Sequence, residues 1–330
     1  MQMFNRILII AATLLSGAAG YLWMGYERAA PVAANALGCS PDFEDGPHPG
    51  MVRVPAGGFT MGAEFAYPEE GPAHPQQVAE FWIDRFEVTN AQFAAFVKAT
   101  GYVTLAERGI SNPADPAARP IPGSAVFKPL IAEGAFDPFA SWWHFVEGAD
   151  WRHPQGPDSS IEGLEQHPVV HIAYEDAEAY ANWLGHELPT EAQFEYAAQT
   201  SGRKNAAGEF ASNTWQGFFP LQNDPLDGHL GTAPVGCFTA NALGLYDLIG
   251  NVWEWTSSTY YMSHNFPTLQ DWPQGYDPAQ PGEPVGVIKG GSYLCAPNYC
   301  MRYRPEARQA QSKGLGTSHI GFRTVLNSPQ

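Results

Sequence analysis

Basic residues are scarce. The 330-residue chain carries 17 Lys and Arg against 34 Asp and Glu, a net charge of −17. Phosphate binding needs clustered cations, so this balance argues against a nucleic-acid partner and suits a soluble extracytoplasmic protein or one that binds cations. Cysteine is also scarce, with four in all. No second Cys/His pair sits at the spacing that would complete a four-ligand zinc site. No helix offers the His-rich spacing of a facial iron centre. No internal repeat and no low-complexity tract is present, and clear helical periodicity is missing beyond residue 200.

What is plentiful is Gly (34), Pro (29) and Trp (10). A chain of this kind buries a large core but builds it from short elements joined by long ordered loops. At the N-terminus, residues 7–26 (ILIIAATLLSGAAGYLWMGY) are free of charge and follow Arg6. That length of helix spans a bilayer, with the basic flank inside. A cleaved signal peptide is the rival reading, with Ala34-Asn35-Ala36 in A-x-A form. No cysteine follows the apolar run closely, which argues against a lipoprotein. Anchor and signal both place the rest of the chain outside the cytoplasm, facing the periplasm or exterior, where disulfides are favoured. The expected organisation is an anchor or signal over 1–26, a linker over 27–49 and one domain over 50–326.

Within that domain, MVRVPAGGFTMG reads as two short strands about a turn. FWIDRFEVTNAQFAAFVKATGY reads as a strand followed by a helix, capped by Thr89 or Asn90, with Phe93, Phe96 and Val97 on one face. Residues 104–168 read as a long loop. A helix over 175–184 presents Ala177, Tyr180, Ala181 and Leu184 and stops at Gly185. Thr190 and Gln193 have capping-box spacing ahead of Phe194, Ala197 and Ala198. The class is therefore α+β, a single loop-rich domain with little regular secondary structure.

Two of the cysteines, Cys295 and Cys300, fall in GGSYLCAPNYCMRYRPEAR, residues 290–308. A spacing of five leaves them about 140° apart on a helix and on opposite faces of a strand. They meet only where the chain turns, and Ala296-Pro297-Asn298 is suited to a turn. Four fates are open: a disulfide, a zinc clip, a two-thiolate Cu(I) site, or a redox pair whose thiolates are aided by Arg302 and Arg304. Cys39 lies in the linker and Cys237 stands alone, and pairing cannot be assigned from spacing.

KGGSYLCAPNYCMRYR resembles the active-site segment of the formylglycine-generating enzymes, the sulfatase-modifying oxidases. The resemblance covers nearly all of residues 50–324. VPAGGFTMG, RFEVTNAQFAAFV, WRHPQGPDSSI, HPVVHIAYEDAEAY, LPTEAQFEYA, GTAPVG, GLYDLIGNVWEWTSS and GFR all match in order. GNVWEW, LPTE and GFR belong to the wider superfamily, whose scaffold is akin to C-type lectin folds; the cysteine pair is the specific part. The resemblance implies oxidation of the cysteine in Cys-x-Pro-x-Arg of an unfolded sulfatase to Cα-formylglycine, with O₂ and a thiol reductant as co-substrates. It implies Cu(I) on Cys295 and Cys300, with Ser292, Tyr299 and Trp253 lining the catalytic site. It implies two structural Ca²⁺ ions, one on Asn213, Thr214, Asp227 and His229, the other on Asp247, Gly250, Val252 and Glu254. Thr214, His229, Gly250 and Val252 would contribute carbonyls. Trp142, Trp143, Trp151, Arg152 and His319 would bind substrate.

The sequence departs from the animal members at Pro305 and Thr324, where those carry disulfide cysteines, and at His319, where they tend to carry Asn. Cys295-Ala296-Pro297-Asn298-Tyr299 itself resembles the substrate motif but lacks its Arg, which argues against self-modification. The rival classes are a non-catalytic ligand-binding member of the superfamily, in which Cys295→Ser or Cys300→Ser would leave function intact, and an iron-dependent oxidase or synthase, which would need the missing His-rich ligand set.

Overall fold

Thr89 opens the first helix with reciprocal bonds. The Gln92 N–H donates to Thr89 Oγ1 at 3.3 Å and the Thr89 N–H to Gln92 Oε1 at 2.8 Å, so two orphan donors of the first turn are satisfied at once. Helix α1 (Asn90–Thr100) then buries Phe93 and Phe96 and ends at Gly101 in the left-handed region, φ 70°. The structure, a computed structural model, describes residues 39, 46–110, 119–129, 142–265 and 275–327. The apolar stretch 7–26 and Ala34-Asn35-Ala36 lie outside the described residues. Among the described residues no helix is long and apolar enough to cross a membrane.

The strands ahead of α1 are β1 (Met51–Val54), β2 (Gly57–Met61), β3 (His74–Val78) and β4 (Phe81–Asp84). The described residues within 104–168, expected as loop, contain three elements: α2 (Leu105–Arg108), β5 (Gly123–Phe127) and β6 (Trp143–Glu147). Each is too short for periodicity to show. α2 is a single turn with its own Thr104/Glu107 capping box, and β5 pairs with β6 only across a long connection. Helices α3 (Tyr174–Leu184) and α4 (Glu191–Ala198) follow. The α3 stop is Gly185 at φ 73°, and α4 starts on the Thr190/Gln193 box. The chain closes with β7 (Trp253–Thr259), β8 (Val285–Lys289), β9 (Arg308–Ser312), β10 (Ile320–Gly321) and β11 (Val325–Asn327).

β10-β7-β8-β9 form one sheet, antiparallel except for the parallel β10–β7 pair. β1-β4-β11 form a second, so the last strand pairs with one from the first third of the domain. Thr324, just ahead of β11, donates its hydroxyl to Asp84 Oδ2 at 2.6 Å and accepts from His186 Nδ1 at 2.9 Å. These bonds hold β11 at the position where animal relatives are expected to use cysteine. The main core joins α1, α3 and β7 through Phe93, Phe96, Tyr180, Trp253, Trp255 and Phe322, and it contains Cys295 and Cys300. The molecule is thus a loop-rich α+β domain whose core reaches the cysteine pair.

Candidate active site

The cysteine loop leaves β8 through Gly290 (φ 92°) and Gly291 (φ 76°). A Cβ on Gly291 would stand 2.8 Å from the Arg302 carbonyl oxygen and 3.3 Å from Cys295 Sγ, so the chain crosses itself here only with glycine. The turn then closes on its own backbone. Cys295 N–H donates to Ser292 O at 2.9 Å, Tyr299 N–H to Ala296 O at 3.2 Å, and Cys300 N–H to Ala296 O at 3.1 Å. The Cα atoms of Cys295 and Cys300 come within 4.6 Å, and their sulfurs are bonded. The turn at Ala296-Pro297-Asn298 therefore forms, and both cysteines are buried. Cys39 pairs with Cys237, across 198 residues.

Asn298 has a role that spacing did not reveal. Its amide mimics a strand partner: Oδ1 accepts from Phe219 N–H at 3.1 Å and Nδ2 donates to Phe219 O at 2.9 Å. The Trp215 N–H donates to Cys295 O at 3.1 Å, so the loop 213–231 seats the turn at two points. Tyr299, 47 % exposed, stacks on Phe219 at 4.2 Å and meets Trp142 edge-on at 5.6 Å. Burial raises its hydroxyl pKa. Ser292 is fully buried and its Oγ accepts from Leu294 N–H at 3.3 Å. Trp253 is buried in the same core cluster as the cysteines, and its N–H donates to His319 O at 2.8 Å.

The segment leaving Cys300 is clamped. Arg302 lies 3.8 Å over the Tyr67 ring and pairs with Glu69, while Arg304 makes a bidentate pair with the fully buried Glu70 at 2.8–3.0 Å. Both guanidiniums are thereby engaged by carboxylates, which leaves less of their charge for the thiolates in the redox-pair reading. Trp143 packs against His319 at 4.7 Å and against Phe127. His319 is buried and its Nδ1 meets Thr317 Oγ1. Burial, with His171 nearby, pushes its pKa down to about 3, so it is neutral. Trp151 and Arg152 differ from what was expected. Trp151 is a core side chain against Phe93 at 5.2 Å, and Arg152 stacks over it at 4.1 Å and pairs with Glu107. Burial in the core removes Trp151 from any peptide-facing surface.

The expected cation-binding residues come together in two places. In the first, Asp227 Oδ1 accepts from His229 N–H at 3.0 Å and Oδ2 from Thr214 N–H at 3.4 Å. Asn213 Nδ2 donates to Gly231 O at 2.8 Å and to Asn251 Oδ1 at 3.1 Å. In the second, Glu254 takes Arg323 Nε at 2.6 Å and Nη2 at 2.8 Å. Asp247 accepts from Gly236 N–H at 2.6 Å through Oδ2. Asp247 Oδ1 and Glu87 Oε2 are buried without a hydrogen-bond partner among the described residues. Three buried carboxylates thus face one guanidinium. Burial pushes Asp247 up to about 6, against its bond to Gly236 and the Arg323 charge. Burial, reinforced by Asp247, raises Glu87 well above its ordinary range. Surplus negative charge with carboxylate oxygens that no hydrogen bond satisfies fits a hard cation. Glu254 does not conflict with this, since a carboxylate has about four lone-pair sites. Among the described residues no three His, Cys, Asp or Glu side chains could hold a metal by themselves, so carbonyls such as those of Gly250 and Val252 would have to contribute. Glu87 and Arg323 escape sequence reasoning because their partners lie far away in the chain.

These features define a loop-rich domain with a buried turn that joins two cysteines five residues apart. The family model for the sulfatase-modifying factor enzyme 1-like domain matches residues 39–328, and the chain belongs to that family. The chain is similar to a formylglycine-generating enzyme of Mycobacterium tuberculosis, 46 % identical over 291 residues, covering 84 % of this chain and 97 % of that one. It is also similar to a mouse protein named inactive C-alpha-formylglycine-generating enzyme 2, 34 % identical over 297 residues, covering 85 % and 86 %. Among solved structures, PvdO from Pseudomonas aeruginosa matches with a TM-score of 0.52 and 26 % identity, covering 83 % of this chain and 93 % of that one. A relative named inactive stands in this comparison, so activity has to be argued from the site.

Proposed function

We propose that the protein is a formylglycine-generating oxidase that converts the cysteine of Cys-x-Pro-x-Arg in an unfolded sulfatase to Cα-formylglycine. One observation carries this reading: two sulfurs are brought together in a dry turn whose outer rim is exposed. Tyr299, Met301 and Phe218 are 47 %, 50 % and 60 % exposed beside the buried pair, an apolar margin on which an extended peptide can lie. The acidic chain favours a peptide carrying Arg through long-range attraction.

Reduced, Cys295 and Cys300 offer two soft donors in one place, which suits Cu(I). Copper held there would supply the O₂ and one-electron chemistry that side chains lack. The chain does the rest. The Ser292 and Ala296 carbonyls fix the turn, Asn298 and Trp215 seat it, and Trp253 with the surrounding core excludes water. The reaction balances as one cysteine side chain, O₂ and two reductant thiols giving the aldehyde, H₂S, water and a disulfide. In this reading the Cys295–Cys300 disulfide is a resting form that a thiol reductant opens. Two Ca²⁺ ions on the Asn213/Asp227 and Asp247/Glu254 sets would be structural. An extracytoplasmic location is supported by the charge-free stretch 7–26 and by the Cys39–Cys237 bridge; an enzyme so placed must meet its substrate before that substrate folds. Recovery of the mature protein from the cytosol on fractionation would overturn the location.

The test is incubation with Cu(I), O₂, a thiol reductant and a Cys-Thr-Pro-Ser-Arg peptide, read by mass spectrometry. An aldehyde on the peptide is expected. Bound copper without aldehyde would overturn the reading.

A further inference from the structure

Asn251 is fully buried and sits at φ 53°, a region that Asn tolerates better than most residues. Every polar atom of its side chain is engaged. Oδ1 accepts from Asn213 Nδ2 at 3.1 Å and from Ala233 N–H at 2.9 Å. Nδ2 donates to Glu87 Oε1 at 3.1 Å and to Ala233 O at 3.4 Å. A single amide therefore touches a residue of the first cation set and the carboxylate that flanks the second.

Its backbone reaches the cysteine loop. The Asn251 N–H donates to Asn213 O at 2.8 Å, and its carbonyl accepts from Tyr293 N–H at 2.9 Å. The neighbouring Gly250 N–H donates to Gly290 O at 2.9 Å. Residues 250 and 251 thus grip the loop at Gly290 and at Tyr293, on either side of Ser292 and ahead of Cys295. The grip is tight: a Cβ on Gly250 would collide with the Asn213 carbonyl oxygen.

We propose that Asn251 is a positioning residue that couples occupancy of the two cation sites to the chemistry of the Cys295–Cys300 pair. This rests on the calcium reading above. A cation drawing on the Asn213 side-chain oxygen polarises the amide whose NH₂ group Asn251 accepts. A cation at Asp247 and Glu254 relieves the repulsion between Asp247 and Glu87 and so shifts the carboxylate that Asn251 holds. Both displacements converge on one residue, whose carbonyl fixes the start of the loop. Asn is required because one planar group must donate and accept at once. Asp would set a second carboxylate against Glu87, and Gly would keep the backbone but delete the link.

The test is the thiol–disulfide equilibrium of the Cys295–Cys300 pair in glutathione buffers, on copper-free protein without peptide, in calcium and in a calcium chelator. Calcium binding is titrated and fold checked by circular dichroism in parallel. The native protein is expected to change its equilibrium constant at least about fivefold on calcium removal. In folded, calcium-binding Asn251→Asp or Asn251→Gly that response should fall below about twofold. A purely structural role would lower the melting temperature without erasing the response. Calcium bound with no redox response in the native protein, or a full response in both variants, overturns the coupling alone. No calcium binding overturns the calcium reading and the coupling with it. Neither outcome depends on aldehyde formation.

Discussion

The two cysteine bridges share a chemistry and little else. Cys39–Cys237 closes 198 residues and ties the segment ahead of the first strand to a loop of the domain, whereas Cys295–Cys300 closes five within the core. In the chain-entropy description the long bridge stabilises by roughly 5 kcal/mol and the short one by about 2. A bridge that contributes little to stability costs little to open. The short pair is also the one that is seated by Asn298 and Trp215, clamped beyond Cys300 by Glu69 and Glu70, and rimmed by exposed aromatic side chains. The long bridge is a fastener, and in the proposed function the short one is the working part.

The sharpest way to break that contrast is to remove one sulfur from each bridge. Cys295→Ser or Cys300→Ser should cut aldehyde formation by at least about 10³-fold, ~4 kcal/mol of transition-state stabilisation, while urea unfolding loses no more than about 2 kcal/mol. Cys39→Ser should do the reverse: roughly 3–5 kcal/mol lost in urea, with aldehyde formation by the folded fraction within about twofold of native. Equal effects on activity from the two bridges would sink the distinction.

A smaller effect is expected at the clamp. Arg304→Met leaves the fully buried Glu70 without its bidentate partner, which should cost about 2–3 kcal/mol given that Arg304 itself is part-exposed. Arg302→Met should cost less, because Glu69 and Arg302 are both reached by water. Alkylation of the reduced Cys300 should speed up in Arg304→Met, with the Cys39–Cys237 bridge unaffected. A stability loss with no change at Cys300 would show that the clamp holds the fold and not the pair.

What could be read ahead of the structure follows from how local each determinant is. α1, α3 and α4 announce themselves because caps and apolar spacing lie within a dozen residues. The cysteine turn is legible for the same reason: Pro297 and Asn298 stand inside it. β10 and β11 are too short to show a period, and their partners are distant. Glu87 reaches Asn251 over a separation of 164 residues and Arg304 reaches Glu70 over 234, so neither contact has a signature in spacing. Trp151 and Trp142 look alike as sequence, and only packing sends one to the core and the other to the rim.

Acid provides the smallest and most selective probe, through the buried histidines His171 and His319. His171 is fully buried, with Nδ1 on Ser124 Oγ and Nε2 on Pro154 O, both at 2.9 Å. Burial pushes its pKa down to about 4. Between its unfolded value of about 6.5 and about 4 the unfolded chain binds the proton and the folded chain does not. Stability therefore falls as pH falls through that window and levels off below it. Asp84, Asp176 and Asp247, raised to about 6 chiefly by burial, act in the opposite sense there, so the native curve alone mixes the two. Comparing it with His171→Gln cancels the carboxylates. The variant should be less stable at pH 7.5, having lost a well-bonded ring, and the gap should narrow by about 2 kcal/mol at pH 5. A gap independent of pH would mean that His171 takes up its proton at the same pH folded as unfolded, and would contradict the dry surroundings inferred for this ring.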